Sequence, residues 1–149
     1  MPQIKLPDGS VRSYDSPVTA AAIANDIGSG LAKAALMAVV DGDEWDLSRA
    51  IEVDSTVKLV TAEDDAALAL LRHGCAHIMA EAVLELFPET QVTIGPAIEN
   101  GFFYDFHREI AFSEDDLASI EKRMHDIVDR DEIIERSVWT RDEAVAFYT

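Results

Sequence analysis

The sequence predicts an α+β protein in two parts, a β-grasp unit over residues 1–62 and a second, incomplete α+β unit over residues 66–149. Three observations predict it. Short alternating runs separated by turn signals fill the first 61 residues, and a proline-free, alanine-rich run occupies residues 66–87. Between them lies Ala62-Glu63-Asp64-Asp65, a short polar stretch with the character of a domain boundary.

In the first unit, Gln3 to Leu6 alternates polar and apolar residues, Pro7-Asp8-Gly9-Ser10 supplies a turn, and Val11 to Tyr14 completes a hairpin. Asp15-Ser16-Pro17 then offers a cap with proline at the first helical position. The alanine-rich run from Thr19 to Ile27 reads as a helix ending at Gly28-Ser29-Gly30. These glycines follow a helix instead of leading from a strand into one, so they do not read as a phosphate loop. Leu31 to Ala34 forms a short turn, Leu36 to Val40 a strand, and Asp41-Gly42 a hairpin turn. Trp45-Asp46-Leu47 and Val57 to Thr61 supply the last strands. Two strands, a helix and two further strands, in that order, make a β-grasp.

The second unit opens with one long helix, preceded by acidic residues at its positive end and stopped by Pro88. Leu68, Leu71, Cys75, Ile78, Met79, Ala82 and Leu86 recur at three- and four-residue steps and are expected to face a core, with Cys75 a small buried hydrophobe. His73 and His77 lie four residues apart on nearly the opposite face, with Gly74 beside them and Glu81 one turn further on. The pair reads either as two solvated histidines or as the lining of a cleft. In the second case it could supply metal ligands, an acid and a base, or hydrogen-bond donors. HxxxH without the glutamate of HExxH specifies none of these.

Gln91 to Ile94 reads as a strand interrupted by Gly95-Pro96. Asn100-Gly101 reads as a hairpin turn leading into Phe102 to His107, with Phe102, Tyr104 and Phe106 on one face. Ser113 and Asp116 resemble a capping box, and Leu117, Ile120, Met124, Ile127 and Val128 form the apolar stripe of the helix it opens, with His125 off the stripe. Glu132 to Trp139 is β-rich and is expected to be a third strand. A second capping box at Thr140 to Glu143 starts a helix running to Thr149, where the absence of a stop signal suggests truncation within a larger protein.

Composition narrows the function. The chain has 149 residues, 48% of them hydrophobic, which is enough for a buried core. Its net charge of −17, from 29 acidic and 12 basic residues, opposes non-specific binding of nucleic acid, which needs clustered Lys and Arg. A single cysteine excludes an intrachain disulfide framework and suits a reducing compartment. No signal peptide is evident at the amino terminus, and no stretch is expected to reach membrane-spanning length.

Pro7-Asp8-Gly9-Ser10, Ala21-Ala22-Ile23-Ala24, Ile27 to Ala34 and Val40-Asp41-Gly42 resemble a TGS domain, the β-grasp module of threonyl-tRNA synthetases, certain GTPases and stringent-response synthetases. His73-Gly74-Cys75-Ala76-His77 followed by Ile94-Gly95-Pro96-Ala97-Ile98-Glu99-Asn100-Gly101-Phe102-Phe103-Tyr104-Asp105 then resembles the bacterial threonyl-tRNA synthetase family. The resemblance covers essentially the whole chain. It implies that residues 66–149 begin a domain that edits, hydrolysing serine mischarged onto threonine tRNA. His73, His77 and Tyr104 would be its site residues, completed by a later Cys-x-x-x-His segment absent here. It also implies that ATP and zinc are used by a catalytic core outside this chain, and that the complete enzyme is cytoplasmic, binds tRNA and no membrane, and is a homodimer.

Threonine and serine differ by one methyl group, and such a difference yields only about 1–3 kcal/mol of discrimination in a pocket sized for the larger side chain. A second, hydrolytic sieve is the remedy. Imidazole is well suited to it, because it both gives and accepts protons near neutral pH. Two other classes fit the residues: a non-catalytic TGS binding module, and a metal-dependent hydrolase built on the HxxxH pair, His73 and His77.

Overall fold

A computed structural model describes residues 1–148. Strand β1 (Gln3–Lys5) pairs antiparallel with β2 (Val11–Ser13), Ile4 opposite Arg12, across a turn in which Gly9 takes φ +85°. Val18–Thr19 form β3, and α1 (Ala20–Ile27) follows at once. The helix cap is therefore Thr19, whose hydroxyl accepts from the Ala22 amide, and not the expected Asp15-Ser16-Pro17. Val18 is held extended by pairing with Ile51 of β6 (Ala50–Ile51), a strand with no signal beyond two residues of sequence. Ser29–Ala34 form a short helix, α2, where a turn was expected.

β4 (Ala35–Val40) runs into β5 (Asp43–Trp45) through Asp41 and Gly42, both at positive φ, 51° and 99°. Two positive values are the requirement of a type I′ hairpin, and Asp-Gly meets it at low steric cost. β7 (Ser55–Thr61) sits between β1, with which it is parallel, and β4, with which it is antiparallel. The sheet order is β2-β1-β7-β4-β5. One face packs on α1 through Ile4, Ile23, Ala38, Ile51 and Val57, all at or below 1% exposure. The prediction of an α+β chain that opens with a β-grasp is met.

The turn into α3 (Asp65–Leu86) is tied down. The Asp64 carboxylate accepts from Lys58 Nζ at 2.7 Å and from the Thr61 amide at 2.9 Å, and Ala67 is sealed against Met37 and Val60 of the sheet. The lysine contact foremost, then the amide, holds the Asp64 carboxyl below the ordinary carboxylate range. α4 (Glu114–Asp129) covers only the C-terminal half of α3, where Ala82, Val83, Ile120 and Ile127 form a second core. The expected capping box, Ser113 with Asp116, is present.

Two departures concern α3. Leu68 and Leu71 are 51% and 48% exposed and Cys75 is also exposed, so the N-terminal half of the predicted stripe faces outward and Cys75 is no core residue. At 22 residues, α3 is also long and apolar enough to cross a membrane by length and composition, contrary to the expectation for every stretch of the chain. Here it packs on the sheet through Ala67 and on α4 through Ala82 and Val83.

Residues 91–107 form one interrupted hairpin. The inner pair is β9 (Ala97–Ile98) with β10 (Gly101–Phe102), and the outer pair is β8 (Gln91–Val92) with β11 (Phe106–His107). The turn is therefore Glu99-Asn100, one residue earlier than expected, since Gly101 pairs with Ile98. Backbone bonds between Thr93, Ile94 and Asp105 extend the outer pair, but Pro96 has no amide hydrogen to give the ladder, and the strands part around Gly95-Pro96. Residues 132–139 are not a strand: Ile133, Ile134 and Val138 are 88%, 97% and 76% exposed. α5 (Arg141–Tyr148) starts at the expected Thr140–Glu143 box, and its expected continuation to Thr149 lies outside the described residues.

Candidate functional site

Helical spacing does what the sequence required of it. His73 and His77, both exposed, meet with Nε2 atoms 3.0 Å apart, ring centroids 4.5 Å apart and ring planes at 87°. At that separation one Nε2 donates to the other, so the two rings satisfy each other and hold complementary tautomers. Gly74, between them in sequence, has no heavy atom within 4 Å of where a Cβ would stand. The surface beside the pair is open. Glu81 could have oriented His77 from the next turn, but its carboxylate turns instead to Arg130, 3.3 Å away.

Tyr104 occupies the gap in the interrupted hairpin. Its ring stacks on Phe106, centroids 4.8 Å apart and planes at 16°, and its other side lies on Gly95. A Cβ on Gly95 would stand 2.1 Å from the ring's Cδ2, so only glycine permits this approach. Phe106 belongs to the α3–α4 core, and Tyr104 is half-buried with it. The structure thus brings His73 and His77 together, while among the described residues no hydrogen bond or ring contact joins Tyr104 to either of them.

A metal ion would find two nitrogen ligands in the pair. Among the described residues no third His, Cys, Asp or Glu stands with them, and Cys75 points elsewhere on the helix. A catalytic zinc takes three protein ligands, so these residues alone do not fit one. A cavity of about 730 Å³ lies elsewhere, at the far end of α3 beside Phe87, Gln91, His107 and Arg108. Nine residues of helix separate His77 from Leu86 at its rim, about 14 Å at 1.5 Å per residue. Arg108 is stacked on Phe87 there, 4.0 Å from the ring centre, and is the wall of the cavity more than a free ligand group.

Sequence reasoning missed Arg72. Its Nη1 donates to the carbonyl oxygens of Ile98, at 3.1 Å, and Glu99, at 2.7 Å, joining α3 to the hairpin. The signal was available: Arg72, Ala76 and Ala80 follow at four-residue steps, one cation on a face of small residues beside the histidines.

Against this geometry, comparison with known proteins is informative. Residues 2–61 match the model of the TGS domain. The threonine–tRNA ligase of Rhodospirillum rubrum is 62% identical over 149 residues, all of this chain and 23% of that protein. Over its whole length the chain matches the N-terminal part of threonine–tRNA ligases. The ligase of Granulibacter bethesdensis is 58% identical over 148 residues, and that of Rickettsia akari 53% over 148, each again covering 99% of this chain and 23% of the relative. The chain therefore spans about a quarter of the length of these relatives. Its TGS domain is the five-stranded sheet with α1, and the histidine pair lies just beyond the matched residues, on α3.

Proposed function

We propose that this chain is the N-terminal region of an enzyme that joins threonine to its tRNA, and that residues 66–149 contribute to a hydrolytic site for serine wrongly attached to that tRNA. The observation that carries the reading is the exposed His73–His77 pair, one donor and one acceptor in contact at 3.0 Å beside an open stretch of helix. Hydrolysis of a seryl ester needs a water oxygen to bond to the carbonyl carbon while the bond to the ribose oxygen breaks. That oxygen takes up a proton, and serine leaves as the carboxylate. When water and substrate replace the contact between the rings, one imidazole accepts the proton of the water and the other offers a hydrogen bond to the substrate, with Tyr104 shaping the pocket from the hairpin. No step requires an oxidant, a reductant or a metal.

In this reading tRNA is the partner, and ATP, threonine and a zinc ion are handled by a part of the enzyme outside this chain, so the chain alone charges no tRNA. The complete enzyme acts in the cytoplasm as a homodimer, without a membrane. Residues 1–62 and 66–149 are two units joined through Ala62–Asp65. The similarity of the whole chain to threonine–tRNA ligases supports the substrate, and the position of the pair outside the TGS domain supports a role of its own for the second unit.

The test is deacylation by the full-length protein. Seryl-tRNA for threonine should be hydrolysed in preference to threonyl-tRNA, and the double variant His73→Ala/His77→Ala should lose that preference. Equal hydrolysis by parent and variant would reject the assignment.

A further inference from the structure

Arg72 is the cation nearest in sequence to the histidine pair, yet among the described residues it forms no ion pair, in a chain with 29 acidic residues. Its guanidinium goes to two neutral carbonyls instead. Ile98 and Glu99, the acceptors, are the last residue of β9 and the first of the turn. A hydrogen bond from a charged donor is shorter and stronger than one between neutral groups, and the 2.7 Å contact to Glu99 has that character.

The face below Arg72 is built for close approach. Ala76 and Ala80, on the same helix face, are 1% and 7% exposed, and α3 is in contact with both β9 and β10. The hairpin is fastened to α3 by this one cation, immediately beside the residues His73 and His77. Its outer continuation carries Tyr104, fixed on Gly95 and Phe106.

We propose that Arg72 is a positioning residue of the hydrolytic site. By fastening the Ile98-Glu99 end of the hairpin to α3, it makes that hairpin one wall of the site and sets the offset between the histidines and the strand of Tyr104. The proposal rests on the function proposed above. Arg72 itself touches no reacting atom; it acts through the backbone it holds.

The experiment compares Arg72→Ala, Arg72→Lys and His73→Ala in the full-length protein. Amide exchange over residues 97–102 reads the latch, and kcat and KM for seryl-tRNA hydrolysis read its consequence. Arg72→Ala should speed exchange across the hairpin and lower kcat by roughly tenfold to a hundredfold, the scale of a small misplacement of a catalytic wall. KM and threonine charging should change little. Lysine, whose ammonium also carries hydrogens for two carbonyls, should restore a substantial part of kcat, which a general loss of stability would not allow. Unchanged hairpin exchange in Arg72→Ala overturns the proposal. So does hydrolysis lost in His73→Ala but intact in Arg72→Ala. Hydrolysis intact in both variants overturns the functional reading beneath it.

Discussion

A histidine pair four residues apart is readable in any helical sequence; what makes this pair a candidate is that neither ring is used by the core. Gly95 shows the opposite case, a residue whose importance is entirely in what it lacks. The Tyr104 ring occupies the space that a side chain would need, so Gly95→Ala should push the ring off Phe106 and cost about 1–3 kcal/mol, the usual penalty of overpacking. Thermal melting and the aromatic NMR shifts of Tyr104 would check it, and an unperturbed ring would contradict it. The Gly95-Pro96 interruption was legible in the sequence. Its purpose was not, because nothing local says that a ring nine residues later fills the gap. Cys75 was misjudged for a related reason. Its spacing from Leu71 and Ile78 implies one continuous buried stripe, but periodicity cannot tell how far along a helix its covering elements reach.

At the scale of elements, α3 meets three neighbours along its length: the sheet at Ala67, the hairpin at Arg72, and α4 at Ala82 and Val83. Alanine marks the contacts with the sheet and with α4, and a search for large apolar residues overlooks it. The predicted strand at 132–139 failed from the same locality of evidence, since alternation yields a strand only where a partner ladder exists and none lies beside it among the described residues. The capping boxes at Ser113 and Thr140 were legible because their chemistry is complete within four residues. The α3–α4 contact carries a pH dependence. Arg130 grips Glu85 with two bonds of 2.8 Å and, foremost among the causes, holds its carboxyl below the ordinary range. A carboxyl with a lowered folded-state pKa contributes stability that is complete above its unfolded pKa and is lost as pH falls through the folded one. Glu85→Gln should therefore melt below the parent at neutral pH, and the gap should close as the pH is brought to about 3. A gap constant across that range would show that the fork contributes nothing through its charge.

For the whole molecule, the −17 charge sets a limit on what this chain does alone. Phosphate contacts need cations, and here the described arginines are largely engaged: Arg72 by the hairpin, Arg108 by Phe87, Arg123 and Arg130 by Glu85. The isolated chain should bind tRNA weakly at physiological salt, and a submicromolar gel shift under those conditions would refute this. Ala62 and Glu63 are exposed where the two proposed units would join, so limited proteolysis should cut there and release a stable TGS domain; a resistant core running through residues 62–65 would count against separable units. The β-grasp was legible because its turns and strands are local, whereas the site depends on how two distant segments dock. The central claim is that the histidines serve chemistry and not the fold. Single variants His73→Ala and His77→Ala should melt within about 0.5 kcal/mol of the parent, as exposed positions do, while each slows seryl-tRNA hydrolysis by the full-length protein and leaves threonine charging near normal. Unchanged hydrolysis together with a large fall in melting temperature would contradict that claim.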